Sequence, residues 1–163
     1  KTQRKYAKPD INPLFTFAVP GYNMRSTEIN AVLGLAQIKR LDDNIAARQK
    51  NLNIWLEHLN SNLYFTDYKV EGSSNYALPL IVKENGKMKD ICGLLEEQKV
   101  EYRLGTAGGG NQARQPYLQK YHFKVSGELK NSNFIHDYGL YIGNHPGLTE
   151  KQIIDLVRRL NNV

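Results

Sequence analysis

Cysteine and long apolar runs are scarce in this sequence. Its one cysteine, Cys92, cannot form an internal disulfide, which argues against the disulfide-stapled class of small secreted domains. No apolar run is long enough to cross a bilayer, and no signal-peptide core is present. The sequence therefore predicts a protein of the reduced cytoplasm.

Several catalytic motifs are missing as well. The four histidines show neither the paired spacing of a zincin nor a Cys/His zinc pattern, so no metal site is predicted. Ser26 lacks the Gly-x-Ser-x-Gly surroundings of a hydrolase nucleophile, and Cys92 lacks a partner that would activate a thiol. The machinery of a complete enzyme is therefore hard to find in the chain.

What the chain does have is enough apolar material for one core. It contains 163 residues, of which 40% are hydrophobic, so a single domain is favoured over two. The sequence opens on Lys rather than Met, and its first convincing helix comes after about twenty-five residues. We therefore interpret residues 1–25 as a connector from a larger domain and residues 26–163 as a small C-terminal domain.

Basic residues crowd the start of a chain whose net charge is +6; they are Lys1, Arg4, Lys5 and Lys8. Such a run attracts polyanions, which keeps a non-enzymatic polyanion-binding module as one interpretation. The tyrosines are scattered rather than paired as a platform for stacking bases, which disfavours that interpretation.

The most informative stretch lies between Pro20 and Leu41. A Pro-Gly turn leads through a polar cluster into a helix, whose N-terminus favours an anion, with Ser26 or Thr27 as the N-cap. Apolar residues then recur at helical spacing, at Ile29, Val32, Leu33 and Ala36. We expect the rest of the chain to supply the surface that covers this stripe.

Helical patterns predict four further helical segments after this first one, and the first of them is either continuous with it or separated from it by a kink near residues 41–43. A long helical segment continues to residue 60, a second covers residues 88–98, and a short one covers residues 132–138. The terminal helix follows Thr149, which forms a capping box with Gln152.

Three strands are predicted between these helices, at residues 76–82, 100–104 and 139–143. Pro79 places the first strand at a sheet edge or a bulge. The first two strands flank a helix, which implies a right-handed crossover if they are parallel neighbours. The predicted fold class is thus α/β, more specifically an α+β small domain, with a sheet of about three strands and helices on one face.

The segment of residues 105–117 is too long and too rich in glycine for a simple connection. It matches neither a Walker loop nor a dinucleotide fingerprint. Glycines let a backbone approach a ligand closely, and the guanidinium of Arg114 suits a phosphate or a carboxylate.

Two regions together resemble the DegT/StrS family of pyridoxal-phosphate (PLP) sugar aminotransferases. The first is Gly21-Tyr22-Asn23-Met24-Arg25, which leads into the first helix. The second comprises Gly109-Gly110-Asn111-Gln112-Ala113-Arg114-Gln115-Pro116, the Gly127 segment and Tyr141 to Thr149, in the family's order. The resemblance covers nearly the whole chain and implies the C-terminal portion of a fold-type I PLP enzyme, which works as a homodimer with shared active sites.

The resemblance also implies roles for individual residues. Asn23 would contact the cofactor phosphate of the other subunit, with Tyr22 and Arg25 beside it. The loop residues Asn111, Arg114 and Gln115 would face a sugar-nucleotide or acidic-sugar substrate. The lysine that binds PLP covalently would lie upstream of Lys1, so no catalytic residue is assigned within the chain, and the isolated chain is expected to be inactive.

Two reactions are compatible with the resemblance. The parent enzyme would transfer an amino group from an amino acid to a keto or aldehydo sugar in surface-polysaccharide (lipopolysaccharide) biosynthesis, or it would be a 3-dehydratase of 4-keto-6-deoxy sugars. The residue that separates them, Lys or His, falls at the upstream position. Transamination is preferred at this point because it is the commoner activity in the family.

Overall fold

The computed structural model describes residue 21 and residues 27–83, 87–105 and 110–163. The chain begins its regular structure with two successive helices, α1 (Glu28–Ile38) and α2 (Leu41–His58). Thr27 is confirmed as the N-cap of α1, since its hydroxyl accepts a hydrogen bond from the Asn30 N–H at 3.3 Å. Ser26, the other candidate cap, lies outside the described residues.

The α1 helix corrects one expectation. None of its residues is buried, and five large apolar side chains are 57–72% exposed: Ile29, Val32, Leu33, Leu35 and Ile38. The expected cover from the rest of the chain is therefore wrong for the part of the chain that the structure describes. Leu35 lies off the predicted stripe, so α1 is apolar around most of its circumference and needs a wider surface than one stripe would.

The remaining elements follow in the predicted order. They are β1 (Ala77–Ile81), α3 (Met88–Glu97), β2 (Tyr102–Leu104), α4 (Lys130–Tyr138), β3 (Gly139–Gly143) and α5 (Glu150–Leu160). The capping box of α5 is confirmed: the Gln152 N–H donates to the Thr149 hydroxyl, and the Thr149 N–H donates to Gln152 Oε1 at 2.9 Å.

The three strands form one antiparallel sheet in the order β1-β3-β2. In the central strand, Ile142 lies between Leu78 of β1 and Tyr102 of β2. Leu140 lies in the same way between Leu80 and Leu104. Because β3 lies between β1 and β2, these two strands are parallel but not neighbours, so the condition on which a right-handed crossover was predicted is not met. Pro79 is confirmed on an edge strand, where its missing N–H costs no ladder bond.

The core lies between one face of the sheet and helices α2, α3 and α5. Its fully buried members include Trp55, Leu78, Ile91, Leu95 and Leu160. The indole N–H of Trp55 donates to the Pro79 carbonyl at 2.8 Å, which fixes α2 across β1. The helix-on-sheet architecture agrees with the predicted fold class.

Polar bonds also fasten the two ends of the domain together. The Tyr64 hydroxyl donates to the Leu160 carbonyl at 2.5 Å, and burial raises the pKa of Tyr64 to about 12. The Asn144 amide donates to the Arg48 and Asn75 carbonyls, at 3.0 and 2.9 Å, and accepts from Asn51 Nδ2 at 3.0 Å. These bonds tie the turn before α5 to the middle of α2.

Candidate functional site

The glycine-rich loop leaves the sheet at the end of β2 and returns beside α4. Gly105 keeps the last contact with β3, since its N–H donates to the Gly139 carbonyl at 2.7 Å. Residues 106–109 lie outside the described part, and the loop is described again from Gly110 onward. Both Gly105 and Gly110 have positive φ, of 69° and 70°, a conformation that favours glycine.

Gly110 is held directly against α4. A Cβ built on it would lie 2.2 Å from Nδ1 of His136, which is far closer than atoms approach without bonding. The backbone of the loop therefore reaches the imidazole of His136 because residue 110 has no side chain.

Asn111 is almost fully buried, with 7% of its surface exposed, and it forms hydrogen bonds to two residues of α4. Its N–H donates to His136 Nδ1 at 2.9 Å, and its side-chain Nδ2 donates to Asn133 Oδ1 at 2.7 Å. Its Oδ1 accepts from the Ala113 N–H at 3.0 Å and caps the short 3₁₀ turn of Gln112–Arg114. Asn111 thus joins the loop to the helix.

Arg114 and Gln115 complete this part of the loop. The Arg114 guanidinium donates to Asp137 Oδ1 at 2.9 Å, and 22% of its side chain remains exposed. Gln115 is fully buried, and its N–H donates to the Gln112 carbonyl at 3.0 Å. Of the three predicted substrate residues, two lie within the protein and the third reaches the surface beside an aspartate.

A cleft of about 500 Å³ opens between this loop, α4 and residues 123–126. Phe123, Leu129 and Ile135 contribute an apolar wall. Asn111, Ser132 and Lys124 contribute hydrogen-bonding groups and one positive charge. A cleft with apolar walls and a few polar groups is typical of small-molecule sites.

A second cleft, of about 510 Å³, lies at the opposite end of the sheet. It runs between α5 and the sheet, and Trp55, Val100, Leu148 and Leu156 line it. Arg159 and Asp155 stand among its polar lining residues. No residue singled out in the sequence analysis as a site residue borders this cleft.

The predicted cofactor residues Tyr22, Asn23 and Arg25 lie outside the described residues, as do the basic residues of the first eight positions. The described chain resumes at Thr27, directly before α1. Amide, phenol and guanidinium groups are hydrogen-bond donors that suit a phosphate, so the donor set of this segment fits the phosphate of PLP.

The described residues offer no activated thiol, no metal-binding cluster and no membrane-spanning helix. Burial raises the pKa of the Cys92 thiol, which keeps it protonated and unreactive. Across the same ranges, no cluster of three or more His, Cys, Asp or Glu side chains is suited to a metal ion. No helix there combines the length and the apolar character that crossing a bilayer requires.

Three residues of α4 were missed in the sequence analysis: Asn133, His136 and Asp137. Their spacing of i, i+3 and i+4 places them on one helix face, which could be read from the sequence. Their partners could not be read from the sequence, because Asn111 and Arg114 come close to these residues only when the loop is folded onto the helix.

Comparison with known proteins finds several to which this chain is similar. It is 30% identical over 145 residues to the lipopolysaccharide biosynthesis protein RfbH of Salmonella typhimurium, which covers 85% of this chain and 33% of RfbH. It is 29% identical over 152 residues to a GDP-4-keto-6-deoxy-D-mannose 3-dehydratase of Yersinia pseudotuberculosis, covering 91% of this chain and 37% of that enzyme. The UDP-4-amino-4,6-dideoxy-N-acetyl-beta-L-altrosamine transaminase of Campylobacter jejuni is 27% identical over 118 residues, covering 69% of this chain and 30% of that enzyme.

Solved structures agree on the fold. The Escherichia coli GDP-4-keto-6-deoxy-D-mannose 3-dehydratase with bound hydrated PLP superposes with a TM-score of 0.72, at 24% identity, over 94% of this chain and 40% of that one. A mutant of the same kind of dehydratase (ColD) with bound GDP-perosamine gives a TM-score of 0.71 over 90% of this chain and 38% of that one, also at 24% identity. The chain thus spans about a third to two fifths of the length of these relatives.

The match to a family model is broader than any of these pairs. It extends over residues 3–161 and so takes in both regions that carry the resemblance. This chain belongs to the DegT/DnrJ/EryC1/StrS aminotransferase family.

Proposed function

We propose that this chain is the C-terminal portion of a PLP-dependent enzyme that removes the 3-hydroxyl of a 4-keto-6-deoxy sugar nucleotide. The observation that carries the choice of reaction is coverage. The Yersinia dehydratase matches 91% of the chain, whereas the Campylobacter transaminase matches 69% at similar identity. This reverses the preference for transamination drawn from the sequence, which rested on the frequency of each activity in the family.

Transamination of a keto sugar, with an amino acid as donor, is the second candidate. It is favoured by the significant match to the Campylobacter transaminase and by the family itself. The two reactions share the cofactor, the sugar-nucleotide substrate and the fold, so the described geometry is compatible with both.

The cofactor of the parent enzyme is proposed to be PLP, whose phosphate Asn23, Tyr22 and Arg25 would hold. A hydrogen bond from such a donor to a charged phosphate contributes about 1.5–3 kcal/mol. When bound, PLP supplies an electron-withdrawing ring conjugated with the reacting sugar carbon. This chain's part is to hold and orient: we assign the covalent lysine, or the histidine that replaces it in dehydratases, to a position upstream of Lys1.

The substrate is proposed to lie against the glycine loop. Arg114 is the loop residue proposed to contact the charged part of the substrate, because its guanidinium is partly exposed and is held by Asp137, although neither residue lines the cleft. Its charge suits the diphosphate of a sugar nucleotide or the carboxylate of an acidic sugar. Gln115 is fully buried and does not line the cleft, and Asn111 borders the cleft with its side-chain groups bonded to Asn133 and Ala113, so both act on the substrate mainly by fixing the path of the loop.

A homodimer is proposed for the parent enzyme, with Asn23 of one subunit at the phosphate of the other. The exposed apolar surface of α1 supports a large interface close to that residue, since Asn23 lies only a few positions before α1. The compartment proposed for the enzyme is the cytoplasm.

The reaction is tested with the full-length protein that carries this chain. It is incubated with PLP, L-glutamate and GDP-4-keto-6-deoxy-D-mannose, and the sugar product is identified by mass spectrometry. A 3-deoxy sugar with release of ammonia supports the dehydratase. A 4-amino sugar instead would show that transamination is the reaction, and unchanged sugar would contradict both.

A further inference from the structure

We propose that one polar face of α4, formed by Asn133, His136 and Asp137, positions the glycine loop and thereby aims Arg114 at the sugar nucleotide. We call these three residues the α4 clasp. The contacts between the α4 clasp and the loop are observed in the described residues. The effect on substrate binding rests on the proposed function.

Each residue of the α4 clasp binds a different part of the loop. Asn133 accepts from the side chain of Asn111 at 2.7 Å, and His136 accepts from its backbone N–H at 2.9 Å. Asp137 accepts from the Arg114 guanidinium at 2.9 Å. Their i, i+3, i+4 spacing brings all three to the same side of the helix.

The contact at His136 has a chemical requirement. A backbone N–H can only donate, so Nδ1 of His136 must carry a lone pair and the ring must hold its proton on Nε2. Gly110 packs against the same nitrogen, where a Cβ would lie at 2.2 Å. The imidazole therefore serves as both a hydrogen-bond acceptor and a steric template for the loop.

The contact at Asp137 explains how a long side chain keeps one direction. Arg114 has many rotamers, and a charge-assisted bond to a carboxylate removes most of them before substrate arrives. The carboxylate stands on α4, whose last turn leads directly into the central strand β3. The Arg114 side chain is thus bonded to the helix that leads into the central strand.

The clasp is tested first in this chain by hydrogen exchange of the Asn111 amide, followed by NMR. In His136→Asn the side-chain oxygen takes the place of Nδ1, whereas in His136→Gln the acceptor is moved to the place of Nε2. We expect exchange at Asn111 to be faster by about tenfold or more in His136→Gln and to stay within about threefold of the wild type in His136→Asn. The backbone N–H of Asn144 donates to the Tyr76 carbonyl at 2.7 Å and reports on the sheet. Its exchange rate should be unchanged in both variants.

If exchange at Asn111 is the same in the wild type and in His136→Gln while the Asn144 amide stays protected, the clasp is refuted. If His136→Gln also loses protection at Asn144, the substitution has disturbed the sheet, and a different measurement on the wild-type chain tests the clasp. A scalar coupling across the hydrogen bond, between the Asn111 amide nitrogen and His136 Nδ1, supports the clasp, and its absence in a well-resolved spectrum overturns it.

The second test uses the full-length enzyme and the variants Asp137→Ala and Asp137→Glu. A positioning role predicts that Asp137→Ala raises the KM for the sugar nucleotide by about tenfold with kcat within about threefold, and that Asp137→Glu restores most of the loss. An unchanged KM in Asp137→Ala refutes the positioning of Arg114 for substrate. Failure of the proposed function gives a different pair of results. The wild-type enzyme would then show no activity on keto sugars, while the hydrogen-exchange experiment would still give the result expected for the clasp.

Discussion

A single buried amide, Asn144, joins three segments that are far apart in the sequence. Both hydrogens of its Nδ2 are donated to backbone carbonyls, of Arg48 and Asn75, and its oxygen accepts from Asn51. No hydrogen-bonding position of that nitrogen is left over. The amide is therefore suited to this place in a way that a carboxylate or a hydroxyl is not.

Replacing Asn144 by Ala should lower the free energy of unfolding by about 2–4 kcal/mol, because the two carbonyls lose a partner inside the protein. Asn144→Asp should cost at least as much, since a carboxylate oxygen would face the same carbonyls. Urea unfolding of the chain measures both. Asn53→Ala, on the exposed side of α2, is the control and should change stability by less than about 0.5 kcal/mol. A loss below about 1 kcal/mol in Asn144→Ala would show that water replaces the amide there.

A second prediction at the level of single residues concerns alkaline pH. The pKa of Tyr64 is raised to about 12 by burial, so the folded protein holds this proton more tightly than the unfolded chain does. The stabilisation is complete below about pH 10 and is lost as the pH rises through about 12. It amounts to about 3 kcal/mol at most. Tyr68, with a pKa of about 12 for the same reason, adds to the effect.

Tyr64→Phe should therefore flatten part of the fall in stability between about pH 10 and 12, measured by urea unfolding at each pH. The same variant loses the bond to the Leu160 carbonyl and starts from a lower stability near neutral pH. Tyr121→Phe, at a residue that is 54% exposed, is the matched control. An identical pH slope in Tyr64→Phe and the wild type would contradict the assignment.

Among the elements, α1 departs furthest from what a stable helix in water needs. It is well capped by Thr27, yet it buries no residue within the described chain. Helices of this length owe most of their stability to packing rather than to propensity. Its apolar surface is therefore available to another surface, which we have proposed to be a subunit interface of the parent enzyme.

The double variant Ile29→Gln/Leu33→Gln should weaken self-association of the isolated chain by about tenfold or more, because it removes exposed apolar surface from α1. Sedimentation over a range of concentrations measures the change. The free energy of unfolding should shift by less than about 0.5 kcal/mol, since neither side chain is buried. Val125→Gln, at another exposed apolar residue, should leave association unchanged. A wild-type chain that stays monomeric at every concentration would show that α1 is covered in some other way.

At the scale of the whole molecule, we propose that the chain carries one part of a site that the parent enzyme completes. Its own contribution is the loop held on α4 and the segment before α1, whereas the covalent cofactor residue is assigned upstream. The length of the relatives is consistent with this division, since the chain spans about a third to two fifths of each.

The isolated chain should accordingly show no specific covalent attachment of PLP. After incubation with PLP and reduction with borohydride, mass spectrometry should find only low, scattered labelling of exposed lysines. The full-length enzyme is the control, and its reduction shows whether a lysine occupies the upstream position. Stoichiometric labelling of one lysine in the isolated chain would contradict the assignment.

Local signals in the sequence predict most of the secondary structure. The Thr149–Gln152 capping box, the edge position of Pro79 and the strand at residues 139–143 were all predicted, because each depends on neighbouring residues. What covers α1 could not be predicted, since a helical pattern shows which residues are apolar but not what meets them. The α4 clasp was missed for the same reason: Asn111 and His136 lie 25 positions apart, and no local pattern pairs them.

The strand order has a consequence for synthesis on the ribosome. The central strand β3 is the last of the three to be translated, and β1 and β2 have no ladder partner in this sheet until it arrives. A nascent chain that ends before Gly139 therefore holds two strands with open edges and a core without its middle row. Sheet formation must wait until Gly139–Gly143 has been translated, and during that interval the apolar strands depend on chaperones or on rapid synthesis to avoid pairing with other chains.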